Sequence, residues 1–214
     1  MTLYGCARAN PIRFTDPLGN LVDVTVGDSR ITVRMWVVYW GAKAFESHWS
    51  GVSNWMWASC DFLQAWNGRA SEVCHENTCK EVVFRIAVSA WHDPDGDCDN
   101  LGPMLLSDPR VVACDGKARS QTGMQNSMWI RPPGNPTDCG GANAGYRNPG
   151  ARSFVRCLVP RIPAHEFGHL MQLSGHSDPN CVMHHPTGIS SCGCCSSKKK
   201  ILKQQIDDVT SCCQ

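Results

Sequence analysis

The chain has 214 residues, 20 Lys and Arg against 19 Asp and Glu, a formal charge of +1, and 42% hydrophobic residues. That is the size of one globular domain, and so even a charge balance gives no field that would gather nucleic acid or anionic lipid. The longest apolar stretch, Met35 to Ala42, has Gly41 inside it and is far shorter than the roughly 20 residues of a membrane helix, so membrane insertion is not expected either.

Residues 1–20 are rich in turn formers, with Asn10-Pro11 and Asp16-Pro17 marking breaks, and read as a linker ahead of a folded segment spanning 21–214. Met1 to Asn10 has no apolar core of a signal peptide, so any export is expected to follow a non-classical route. Leu21 to Val26 alternates and ends at Gly27-Asp28, while Ile31 to Tyr39 is β-branched and aromatic; together they predict a hairpin. From about 46 to 66, Trp49, Val52, Trp55, Met56, Cys60, Leu63 and Trp66 recur at three and four spacing, which predicts an amphipathic helix stopped at Asn67-Gly68. Its tryptophans are expected in the core. Val82 to Trp91 reads as a strand, Val111-Val112 and Met128 to Ile130 as short ones.

Asp93-Pro94-Asp95-Gly96-Asp97-Cys98-Asp99 places four carboxylates at alternate positions, the spacing of a loop that could turn oxygens toward a Ca2+ ion. A solvated Asp/Gly turn explains the same residues, since the EF-hand positions of Gly and Glu are not matched. Two further helices are expected at about 163–173 and 198–210. The second carries Ile201, Leu202, Ile206 and Val209, with Lys198, Lys199 and Lys200 at its solvated end. Strands mixed with helices give an α+β domain with a mixed, twisted sheet. Fourteen cysteines suggest an oxidising destination and a disulfide-stapled surface. Cys192, Cys194, Cys195, Cys212 and Cys213 are the alternative, a second thiolate zinc site.

The strongest chemical signal is His165-Glu166-Phe167-Gly168-His169, inside an apolar run from Ile162 to Leu173. With 8 histidines in the chain, a chance H-E-x-x-H is expected only about 0.007 times. On a helix the two histidines stand about 40° apart, so both imidazoles leave one face and can hold a single Zn2+. Glu166 lies beside them as a general base for a zinc-bound water. Pro163 suits the first turn, and Gly175 is placed to stop the helix and return the chain toward the metal. The third ligand is then His176 or, at similar reach, Asp178.

These residues resemble the zincin peptidases, and the metzincins in particular, whose pattern H-E-x-x-H-x-x-G-x-x-H precedes a methionine turn. The family glycine falls on Gln172 and its third histidine on Gly175, with His176 one residue late. The run His176-Ser177-Asp178-Pro179-Asn180-Cys181-Val182-Met183 restores the distance from His165 to the methionine. The resemblance implies a zincin-like metallopeptidase, with Met183 packing beneath the metal and His185, or His184, where relatives place a tyrosine that contacts the transition state. A second resemblance lies at the start. Tyr4, Ala9-Asn10-Pro11 and Thr15-Asp16-Pro17-Leu18-Gly19 are similar to the end of the core of Rhs/YD-repeat proteins. It implies that 1–20 closes an Rhs shell and that the rest is a C-terminal toxin delivered to a target cell, with an immunity protein as partner and self-release linked to Asp16.

Two functional classes follow. One is a zinc endopeptidase acting on a protein or peptide substrate held extended by an edge strand upstream of the metal helix. The other is a non-enzymatic, cysteine-rich adhesion or binding domain with structural zinc, held by His165, His169, His176 and a cysteine such as Cys181. Glu166 separates them, because only the enzyme needs it.

Overall fold

Alternating valines and the β-branched, aromatic run after Arg30 form the hairpin that the pattern implies: β1 (Val22–Val26) pairs antiparallel with β2 (Arg30–Trp40), Val22 opposite Met35 and Val26 opposite Ile31. The computed structural model describes residues 22–66, 70–75, 78–122, 126–132, 134, 139–143 and 152–171. The linker with Asp16, the residues His176, Asp178, Cys181, Met183, His184 and His185, the cysteines from Cys192 to Cys213 and the helix expected over 198–210 lie outside the described residues.

One edge of β2 pairs in parallel with β4 (Thr78–Ala90) over Arg30–Tyr39. The opposite edge is divided: β1 occupies it as far as Met35, and Val37–Trp40 then pairs in parallel with β5 (Asn126–Ile130). β3 (Ala70–His75) forms an antiparallel hairpin with β4, while β7 (Arg152–Val155) joins β5 in parallel and β6 (Gly140–Asn143) joins β7 antiparallel. The result is a curled, mixed sheet in the order β3-β4-β2-β5-β7-β6, with an antiparallel strand at each end of four parallel ones.

The burial along β2 tells how the layers sit. Ile31, Val33 and Met35 are buried while Thr32, Arg34 and Trp36 are not, the period-two pattern of a strand with one covered face. From Val37 to Trp40 every residue is buried, because a second layer begins there. On the first face, Val37, Tyr39, Phe84, Met128 and Ile130 pack with the helices α1 (Ala42–Phe45), α2 (Asn54–Trp66) and α4 (Ile162–Leu170). On the second, Val38, Trp40, Trp129 and Phe154 pack under α3 (Pro109–Thr122) and the segment from Trp91 to Leu101. The architecture is α+β, with helices on both faces of the sheet.

Three expectations change. The helix anticipated from 46 starts at Asn54, because Ser47 and Ser53 bridge a tight turn in which His48 N donates to Val52 O at 2.7 Å and Gly51 has φ +86°. Its buried stripe is Asn54, Ala58, Phe62 and Trp66, and Trp49, expected in the core, is 87% exposed. Val111-Val112, anticipated as a strand, lies in α3. Asp108 accepts the Arg110 N–H at 2.9 Å and Pro109 opens the helix, a start signal stronger than two β-branched residues. Val111, Cys114, Asp115 and Ala118 are its buried side.

Among the described residues two disulfides bear out the stapling expectation in part. Cys98–Cys114 ties the 91–101 segment to α3, and Cys139–Cys157 ties the residue before β6 to the chain leaving β7. Among the described residues no helix is long and apolar enough to cross a membrane.

Candidate metal centre

The motif helix α4 is short and almost wholly buried: Ile162 to Gly168 are all inaccessible, Glu166 included, and His169 is partly exposed. Pro163 stands in its first turn as the sequence predicts. The helix lies against β6, β7 and α2. Phe167 stacks face to face on Phe62 of α2 at a centroid distance of 4.7 Å, and the Trp66 indole N–H donates to the Ala164 carbonyl at 3.0 Å.

His165 and His169 project from one face of α4, with their rings nearly perpendicular and their Nε2 atoms 3.1 Å apart. Two nitrogens bound at about 2.05 Å to one tetrahedral ion stand about 3.3 Å apart, so the pair fits a shared zinc in donor type and in spacing. Among the described residues no third His, Cys, Asp or Glu joins them, and the two candidates for that role, His176 and Asp178, follow the last described residue, Met171.

Glu166 turns toward the edge of the sheet. Its carboxylate lies over the backbone of Gly140 in β6, so closely that a β-carbon there would come within 2.6 Å of Oε1 and 2.8 Å of Cδ. Gly140 is therefore part of the site: a bare backbone gives the carboxylate its place. The next residue back, Cys139, is locked to Cys157, and its carbonyl accepts the N–H groups of Arg156 at 2.8 Å and Cys157 at 3.1 Å. The strand that carries Gly140 is thus pinned to the segment that leads into α4.

At the other end of the helix, Asp61 of α2 reaches across to its start. Its carboxylate accepts the Arg161 N–H at 2.9 and 3.0 Å and the Ala164 N–H at 3.2 Å. Burial pushes the Asp61 carboxyl up to about 6, while the hydrogen bonds from Arg161 and Ala164 and the Arg161 charge pull the other way. Neither Asp61 nor Gly140 carried a sequence signal, since each acts through a partner far away in the chain.

The four aspartates of the candidate calcium loop do not converge on one point with three or more ligating groups. Asp93 is buried and accepts the Cys98 N–H at 2.6 Å, whereas Asp97 is exposed and pairs with Lys117 at 3.2 Å. No known protein family matches this chain, and no curated protein is significantly similar to it.

Proposed function

We propose that the chain is a zinc-dependent endopeptidase of zincin type, the toxic end of an Rhs-type effector that cleaves proteins of a recipient cell. The observation that carries the reading is the pair of facing Nε2 atoms, 3.1 Å apart, on a helix that also carries the buried Glu166. Two features of the fold support it. Among the described residues the antiparallel strand β6 ends the sheet beside α4, where an extended peptide could add as a further strand. Glu166 lies against that same strand, its carboxylate packed on the Gly140 backbone, which brings the candidate proton carrier to the strand edge where such a peptide would lie.

His165 and His169 would hold the zinc, with His176 or Asp178 completing the set, and Met183 would pack beneath them. Bound there, zinc supplies Lewis acidity, polarising a scissile carbonyl and bringing the pKa of water toward about 7. Glu166 accepts the proton that the attacking water gives up and returns it to the leaving amine. Burial of the carboxylate among α4, β6 and β7 excludes bulk water from that transfer. His185 would stabilise the developing oxyanion. The Rhs part of the reading rests on the motif of residues 4–19, which also implies an immunity partner.

The test is profiling of new protein N-termini by mass spectrometry, in an extract incubated with zinc-loaded wild type or with Glu166→Ala. New termini in the wild-type sample alone are expected. Their absence, with one zinc bound in both proteins, would favour the binding-domain reading.

A further inference from the structure

A helix start leaves backbone N–H groups without partners in the helix, and for α4 each can be traced. The Ile162 N–H reaches the Val159 carbonyl at 3.3 Å, and Pro163 has no N–H to satisfy. The His165 N–H donates to the Arg161 carbonyl at 2.8 Å, so the helical ladder begins at the first metal-ligand candidate. The remaining donors, on Arg161 and Ala164, both end on Asp61. No side chain of α4's own N-terminal boundary does this: Arg161 stands at the cap position with φ +81°, in the left-handed region that a non-glycine residue adopts only when its surroundings hold it there. Asp61 is thus an N-cap supplied from another helix, 100 residues earlier in the chain.

We propose that Asp61 is a positioning residue of the His165–Glu166–His169 site, setting the depth and rotation of α4 from α2. The inference rests on the metal reading above. Three of the contacts that join the two helices constrain different motions. Asp61 fixes where the first turn begins, the Trp66 indole holds the Ala164 carbonyl, and the Phe62–Phe167 stack fixes which face turns down. Of these only Asp61 holds the backbone on both sides of the first turn, at Arg161 and at Ala164. His165 is the next residue and Glu166 the one after, so a shift of the first turn displaces both together. On the far side Glu166 has no room to follow such a shift, because the Gly140 backbone lies against its carboxylate. α2 therefore sets the fit of Glu166 to β6.

The experiment uses the full chain as wild type, Asp61→Ala, Asp61→Asn and, as a control, Val111→Ala, which opens the core on the opposite face of the sheet. Amide hydrogen exchange at Arg161, Ala164 and His165 and the affinity for added zinc are both measured well below the melting temperature. Asp61→Ala is expected to speed exchange at these amides by about tenfold, the size of a lost helix cap, and to weaken zinc binding by a similar factor. Asp61→Asn, which keeps an acceptor oxygen, should recover most of both. Exchange in Asp61→Ala equal to wild type, or raised no more than Val111→Ala raises it, would overturn the proposal. So would faster exchange with unchanged zinc affinity in a wild type that binds one equivalent. A wild type that binds no zinc would sink the metal reading alone, and the exchange comparison would still decide whether Asp61 holds the helix.

Discussion

On the α3 face, Asp115 is buried with the guanidinium groups of Arg119 and Arg152 and the hydroxyl of Ser127, all donating to its two oxygens. On the α4 face, Asp61 turns its oxygens to backbone N–H groups of a neighbouring helix, and two imidazoles turn their nitrogens toward each other. The first arrangement is closed. One carboxylate takes both guanidinium groups, and the cluster joins α3 to β5 and β7 as a fastening. The second holds a helix by its backbone and keeps the side chains of that helix for one shared point and one strand edge. The same sheet thus carries one face fastened side chain to side chain and one that holds the candidate site, and each is expected to break without the other.

The largest effect is expected at Asp115→Ala, which leaves Arg119 and Arg152 together in a site where their side chains are 10% and 13% exposed. Removing the carboxylate should cost about 3–5 kcal/mol in urea unfolding, while zinc affinity stays within about twofold at low temperature. A parallel loss of zinc would show that the two faces are not independent. Next is the Cys139→Ser, Cys157→Ser double variant, which opens a loop of sequence separation 18 and should lose about 3 kcal/mol. It should also lose turnover earlier than fold on warming, because this bridge anchors the strand under Glu166. Gly140→Ala sharpens the comparison from the chemical side. Its methyl group must displace the Glu166 carboxylate, so kcat should fall by about a hundredfold with one zinc still bound. Unchanged kcat would mean that the carboxylate works from another position.

The last expected effect concerns pH. The Asp61 carboxyl is raised from 3.8 to about 6, so between those values the folded chain keeps a proton that the unfolded chain has released. Its contribution to stability is therefore complete below about pH 4 and lost as pH rises through about 6. In Asp61→Asn that slope should vanish, which paired urea titrations at pH 4, 5, 6 and 7 would measure.

Those elements that depend on their own residues could be read in advance. The β1–β2 hairpin follows from alternation and a Gly-Asp turn, and α4 from Pro163 and an apolar run around the H-E-x-x-H spacing. β6 could not be read. Gly140, Gly141, Ala142 and Asn143 have low strand propensity, and they form a strand by pairing with β7, with the Glu166 carboxylate against Gly140 and the Phe154 ring against Gly141. α3 was hidden by Val111-Val112, although Asp108-Pro109 marked its start. Glu166 and the two histidines were legible as chemistry, whereas Asp61 was not, because a cap supplied from 100 residues away leaves no local pattern.

The divided edge of β2 has a mechanical consequence. β1 meets β2 with Val22 opposite Met35, so tension on the chain ahead of Val22 loads that end of the ladder first and opens it bond by bond toward the turn at Gly27. The tear runs away from the β5 ladder. The β5 ladder begins at Val37, and between the two lies Trp36, whose carbonyl has the Asn126 amide 3.5 Å away. A pull from the N-terminal side is thus met first by one unzipping hairpin, and only then passes through the turn into β2 and the strands paired with it.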